Sequence, residues 1–576
     1  MNRHSRSIAP FFAAVFLTAG AFGVSCSKAG PAPASSAQAG GDLVFTNRSS
    51  PSSFNRISCQ GNRADDLIGL LTQAKLVRIN RVTWELEPWL AESWSRSDDG
   101  LRYTIKLRPN ITFSDGQPFT SDDVAFSLAA VYDPKAASPL IDALEVSGKP
   151  LGVATPDPHT VIITFPSPFA VGLRILDNLP ILPRHKLDAA LKAGTFARAW
   201  GLDTPLQDIA GLGPFVLSEF VRGQRIVFTR NPRYWRKDAS GAALPALDRV
   251  TMQIVPSQDA ELLRLEAGQS DLTSTEMRPS DYAPLKRDAA ANKIKLLDLG
   301  DGYDMDTFWI NLSPGAFAGD PRAPWIQKDE LRHAISMAVN RDLFVNTVYF
   351  GAGVPAFGPI APANRKWYSS DVPHPPYDPA RAKQLLATIG LVDRNGDGIL
   401  EDAHNHQVRF TLVTQKGRTD RERAASVISD ELKKIGIVVD VVLLDFGKMM
   451  EMVGQTKKYE AVYFGPGATD IDPAVTQDFW LSSGGAHFWN LGQAKPATEW
   501  EQRIDELMAR QVASFDEAER VRLFTDVQKI FAEHEPAIYF AAPRVFLATS
   551  SRVTGLTPSL IPPQLLWSAD TMAVVR

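Results

Sequence analysis

The sequence predicts a mixed α/β protein built from two or three lobes. It has 576 residues, 44% of them hydrophobic, several times the roughly 150 residues of a typical domain and enough apolar material for more than one core. Residues 408–444 carry a strand, helix and strand in succession, and residues 90–128 carry a hairpin followed by a capped helix. Helices and strands are therefore interleaved along the chain.

The first 25 residues hold Arg3, Arg6, an apolar run from Ile8 to about Val24 and no acid, the pattern of a secretory signal. Ser25-Cys26 is similar to the end of a lipoprotein signal, in which the cysteine is lipidated and becomes the first mature residue. Ala19-Gly20-Ala21 offers a competing small-x-small cleavage site that would release a soluble protein. Residues 26–41 are mostly Ala, Ser, Gly and Pro, which suits a flexible tether. No later apolar run approaches the roughly 20 residues needed to span a bilayer, so the expected attachment is by lipid on Cys26 alone. With Cys26 lipidated, Cys59 has no partner; with Cys26 a free thiol, the two can pair in an oxidising compartment. Taken by itself, Cys59 reads as a small buried hydrophobe.

In residues 90–128, Asp98, Asp99 and Gly100 supply turn chemistry, and Leu101, Tyr103, Ile105 and Leu107 alternate with polar residues as in a half-buried strand. Asp115 and Gly116 form the next turn. Thr120 and Asp123 have capping-box spacing, and Phe119 and Val124 have staple spacing, so a helix is expected from Ser121. Further on, Val408, Phe410 and Leu412 alternate in a strand, Thr419 and Glu422 are placed to cap a helix, and Gly436 ends it before a strand over 437–444. Ala424, Val427, Ile428, Leu432 and Ile435 follow helical spacing, which puts one face on a sheet through a right-handed crossover.

Residues 113–124 fit the motif F-x-D-G-x-P-x-T-x-x-D-V throughout. Further landmarks are Gly211-Leu-Gly-Pro-Phe215, Arg230-Asn-Pro-Arg-Tyr-Trp235, Leu244-Pro-Ala-Leu-Asp248, the segment 331–341 and Gly358-Pro-Ile360. On these the chain resembles the peptide and nickel class (family 5 type) of bacterial extracellular solute-binding proteins, the receptors that feed ABC importers. The resemblance implies a two-lobed periplasmic-binding-protein-like fold of type II. Lobe one would span 42–306 with an extra subdomain inserted at about 84–202, lobe two 307–534, and residues 535–576 would return to lobe one. Two crossings make a hinge, and hinge closure around a ligand is the motion such a layout permits. The implied partners are a peptide or other small solute and the permease subunits of an importer, with the receptor itself monomeric.

A formal net charge of −4 and the lack of a long basic run argue against nucleic acid. Enzyme signatures are absent: there is no G-x-S-x-G, H-E-x-x-H, C-x-x-C or G-x-x-x-x-G-K, and Ser25-Cys-Ser-Lys28 lies at the signal junction, where no rigid site holds it. No cofactor and no metal are expected. Residues 393–399 imitate the first half of an EF-hand loop, but position twelve is His404 in place of Glu, and Asn-Gly and Asp-Gly are ordinary turn formers. His404 and His406 lack a cysteine or acid at ligand spacing and read as solvated loop residues.

For ligand binding, the segment 459–473 stands out. In peptide-binding relatives a Y-E-A strand leads to a Gly-containing stretch whose backbone pairs with an extended peptide, while an acid holds the peptide's amino group. Gly465 and Gly467 fall in that stretch, and Thr469 occupies the place of the acid, with Asp470 beside it and Asp472 two residues on. Pro466 replaces an aromatic and removes an N–H. Asp470 and Asp472 suit either amine binding or a turn before Pro473. Lobe geometry adds Asn47, Arg48 and Ser49 at the exit of the first strand, Trp309 and Asn311 near a crossing, and Arg418 as a bidentate receiver of carboxylate. Trp489 groups with Trp480 and Phe488, either lining a pocket or packing in a core. A peptide receptor is the expected function; the alternatives are the same fold binding a nickel chelate, sugar or other solute, and a secreted hydrolase without a local motif.

Overall fold

Eight strands from both ends and the middle of the chain form the larger of two main sheets. In the computed structural model, which describes residues 40–575 apart from 60, 466, 468 and 469, the path runs Phe215–Val221, Arg225–Arg230, Arg249–Ile254, Asp42–Asn47, Leu272–Thr273, Ala541–Ser550 and Ile294–Asp301, with Gly353–Pro355 also paired to Ala541–Ser550. The first strand lies parallel to Arg249–Ile254 and buries Leu43 and Phe45 completely, as the two-residue period of a strand dictates. The signal, the tether as far as residue 39, Cys26, Pro466 and Thr469 lie outside the described residues.

A smaller sheet of five strands runs Val438–Leu444, Arg409–Gln415, Ala461–Phe464, Thr307–Ile310 and Ala537–Tyr539. Arg409–Gln415 and Val438–Leu444 are parallel, joined by the helix Thr419–Lys433, which buries Ala424, Ile428 and Leu432. This is the strand–helix–strand unit read from the sequence, with one correction: the N-cap is Arg418, not Thr419, and Glu422 closes the turn by accepting the Gly417 N–H at 2.7 Å. A four-stranded sheet, Ala91–Arg96, Arg102–Leu107, Thr160–Thr164 and Gly152–Asp157, contains the expected hairpin, and the helix Ser121–Tyr132 follows it. The Asp123 carboxylate accepts the Thr120 N–H at 2.9 Å, and Phe119 and Val124 are buried.

The chain leaves the larger sheet at Asp301 and joins the smaller one at Thr307. It returns at Phe540, five residues beyond the expected start of the return at residue 535, because Ala537–Tyr539 still pairs with Thr307–Ile310. Two arginines of the 331–341 landmark clamp this return. Arg332 donates to the carbonyls of His534 and Glu535, and Arg341 to those of Ala356 and Tyr539. Among the described residues, no helix is long and apolar enough to cross a membrane.

Candidate functional site

A cavity of about 570 Å³ opens between residues of the two lobes. Lobe one supplies the helix Arg63–Thr72, the strand Val77–Ile79, the 3-10 turn Gly172–Asn178 and the C-terminal stretch around Pro562 and Asp570; the other lobe supplies Gly467, Asp470 and Val475. Asn62 caps the helix by accepting the Asp65 N–H at 3.1 Å. Its C-terminal end rests against the Gly211-Leu-Gly motif: a Cβ on Gly211 would stand 1.9 Å from the Thr72 carbonyl oxygen, so only glycine admits this approach.

One wall is aromatic and cationic. The Arg78 guanidinium lies 3.8 Å from the Trp89 ring and 4.9 Å from Trp567, and Arg236 approaches Trp89 from 4.2 Å. Trp89 in turn meets Trp235 edge to face at 5.5 Å. Tyr234 donates to Asp570 at 3.0 Å, and Arg236 pairs with the same carboxylate. The Arg230-Asn-Pro-Arg-Tyr-Trp235 landmark thus builds this wall.

Across the cleft, Arg174 binds Asp470 through two parallel bonds, Nε at 2.8 Å and Nη2 at 3.0 Å, and its Nη1 donates to the Trp84 carbonyl at 2.6 Å. Burial pushes the Asp470 carboxyl above its ordinary value, against the pull of Arg174. Asp472 is buried two residues on and is held inside its own lobe by Arg520 at 3.1 and 2.5 Å.

Of the residues singled out from the sequence, Gly467 and Asp470 line the cavity. The others do not. Asn47 donates to the Ser49 carbonyl and hydroxyl and accepts from Ser274, which fixes the exit of the first strand. Arg48 faces Glu261 at 3.5 Å. Asn311 donates to the carbonyls of Lys457 and Tyr459. Trp309 and Trp489 are each 1% exposed, Trp309 stacked on Phe488 and Trp489 packed against Phe479 and Phe531. Arg418 already holds Asp420, and the Gly465 carbonyl accepts from Arg421. The side chains of Asn47, Arg48, Asn311 and Arg418 thus spend their polar groups on the protein itself.

The cavity's other cations, Arg56, Arg63, Lys75, Arg78 and Arg81, were missed by motif reading. A signal existed: residues 56–81 hold these five basic residues against two acids, Asp65 and Asp66, in a chain whose net charge is −4. In the loop 393–401, the carboxylates of Asp393, Asp397 and Glu401 converge within 4.8 Å, while Asp393 accepts the Gly396 and Gly398 N–H groups as a turn former does.

A family model for bacterial extracellular solute-binding proteins, family 5 middle, matches residues 85–488. The oligopeptide-binding protein AppA of Bacillus subtilis is 28% identical over 457 residues, covering 76% of each chain. The heme-binding protein A of Haemophilus influenzae is 28% identical over 505 residues, covering 84% of each. A solved structure of AppA from Bacillus subtilis in complex with a nonapeptide superposes with a TM-score of 0.72 at 25% identity, covering 94% of this chain and 100% of that one. The structure of NikA from Brucella suis in complex with Fe(III)-EDTA gives 0.75 at 20% identity, covering 93% and 100%. With more than two thirds of its length matched by the family model and its fold shared with both structures, the chain belongs to the family 5 bacterial extracellular solute-binding proteins.

Proposed function

We propose that this protein is the extracytoplasmic receptor of an ABC importer and captures peptides by closing its lobes over them. The observation that carries the reading is the cavity of about 570 Å³ lined from both lobes and bridged by Arg174 and Asp470. Its volume falls within the roughly 300–1,000 Å³ of small-ligand pockets. Closure excludes water and strengthens each polar contact inside. AppA and other similar proteins named for peptide binding support the ligand class. The protein binds and releases its ligand without chemistry. It is monomeric, meets permease subunits, and is tethered to a membrane by lipid on Cys26.

A second reading is favoured by the same bridge: Asp470 is already held by Arg174 and so is not free for a peptide's amino group, which suits a non-peptide solute such as a metal chelate. Native mass spectrometry of the purified full-length protein, followed by denaturation and identification of what is released, tests both. A heterogeneous set of short peptides is the expected result. A single non-peptide species transfers the assignment to the second reading.

A further inference from the structure

Six cationic side chains, Arg56, Arg63, Lys75, Arg78, Arg81 and Arg174, line the cavity against four carboxylates, Asp66, Asp177, Asp470 and Asp570. Each acid is already held: Asp66 by Arg56, Asp177 by Lys75, Asp470 by Arg174 and Asp570 by Arg236. Arg78 is matched from outside the cavity by Glu87 at 2.9 Å. Arg63 and Arg81 form no salt bridge among the described residues, and Arg81 donates to the Pro562 carbonyl at 3.1 Å. The cleft is therefore cationic and has two guanidinium groups without a carboxylate partner.

A second observation points the same way. Gln73 lines this cavity and is 7% exposed, and its Oε1 is buried without a hydrogen-bond donor. A buried carbonyl oxygen loses its bonds to water, and because this one is closed to solvent it regains a bond only when the Gln73 side chain turns to meet a ligand N–H in the cavity. Guanidinium forks fit carboxylates, and in a closed cleft their attraction is screened far less than in water.

Granting the receptor reading above, we propose that the ligand is a peptide recognised through a carboxylate, received by Arg63 and Arg81, and through an amide N–H, received by Gln73 Oε1, with no carboxylate of the protein engaging its amino terminus. A peptide bearing extra positive charge is disfavoured, because the lining already carries more cations than acids.

The test is calorimetric titration of the full-length protein, freed of bound ligand, with one tetra-alanine peptide in three forms: free, C-terminally amidated and N-acetylated. Amidation is expected to weaken binding about tenfold or more and acetylation to change it less than about threefold. The variant R63Q/R81Q is expected to lose about tenfold for the free acid and to bind the amide as the parent does. Costly acetylation with harmless amidation overturns the inference and leaves the peptide receptor intact. Binding of neutral stachyose, with none of the three peptides bound, overturns both. Binding of citrate that depends on Arg63 and Arg81, again without peptide, keeps carboxylate recognition and removes the peptide. The three-peptide comparison on the parent protein decides the matter even where the double variant fails to fold.

Discussion

Arg174 and Asp470 lie 296 positions apart in sequence and join as a two-bond ion pair across the cleft, with side chains 11% and 2% exposed. Nearby, the Ala170 N–H donates to the Val512 carbonyl at 2.6 Å, and the Arg96 guanidinium sits 3.8 Å from the Phe515 ring. The residue nearest the place of an amine-binding acid therefore works as a latch between lobes. Its partner removes it from the set of groups available to a ligand's ammonium.

Asp470→Asn is expected to open the unliganded protein. Removing one member of a buried pair costs about 3–5 kcal/mol while the site stays closed. Here the lobes can separate and let water reach Arg174, so the cost appears as a shifted conformational equilibrium and not as unfolding. Small-angle scattering should show a larger radius of gyration for the variant, with a melting temperature close to that of the parent. An unchanged radius would show that the pair does not hold the lobes together.

Arg520→Gln supplies the contrast. Asp472 and Arg520 lie in one lobe, both buried, so no hinge motion can hydrate the carboxylate left behind. Denaturant unfolding of that variant should report a loss of roughly 3–5 kcal/mol. A change below about 1 kcal/mol would place the pair with solvent-screened surface bridges.

The hairpin, the capped helix and the strand–helix–strand unit were legible because each is fixed by local pattern: alternation at Tyr103, Ile105 and Leu107, the Thr120 and Asp123 cap, the helical spacing from Ala424 to Ile435. The cleft was legible only in part. Asp470 was found from its place after the Tyr459 strand, but Arg174 lies 296 residues away, and no local period announces such a partner. Asn47, Asn311 and Trp489 are of types that ligands favour, yet tertiary contacts absorb them. The landmark arginines Arg332 and Arg341 serve the crossing near Phe540, and the Trp235 landmark serves the cleft wall.

Gly211→Ala tests the explanation of another landmark. The added Cβ meets the Thr72 carbonyl at 1.9 Å and the Gln73 side chain at 3.9 Å, so the helix end must move and carry Gln73 with it. Overpacking of this kind costs about 1–3 kcal/mol. Thermal unfolding should fall accordingly, and ligand affinity should fall with it because Gln73 lines the cavity. Full stability with full affinity would mean that the backbone approach is not required.

Glu535 sits at the return crossing, 6% exposed, in a left-handed conformation with φ of 39°. Its carboxyl is pushed up from 4.5 to about 7, chiefly by burial; the Ser336 hydroxyl bond and the charges of Arg341 and Arg332 oppose the shift. The native state thus holds this proton at pH values where the unfolded chain has released it. Stability contributed by the neutral form is complete below about pH 4.5 and is lost as pH rises through 7, by up to roughly 3 kcal/mol at about 1.4 kcal/mol per unit. Glu535→Gln keeps the shape and removes the titration, so the variant should gain stability over the parent at pH 8 and match it near pH 4.5. Denaturant unfolding of both proteins across this range measures the difference. Parallel curves would mean that Glu535 is ionised in the folded protein, with Arg332 and Arg341 outweighing its burial.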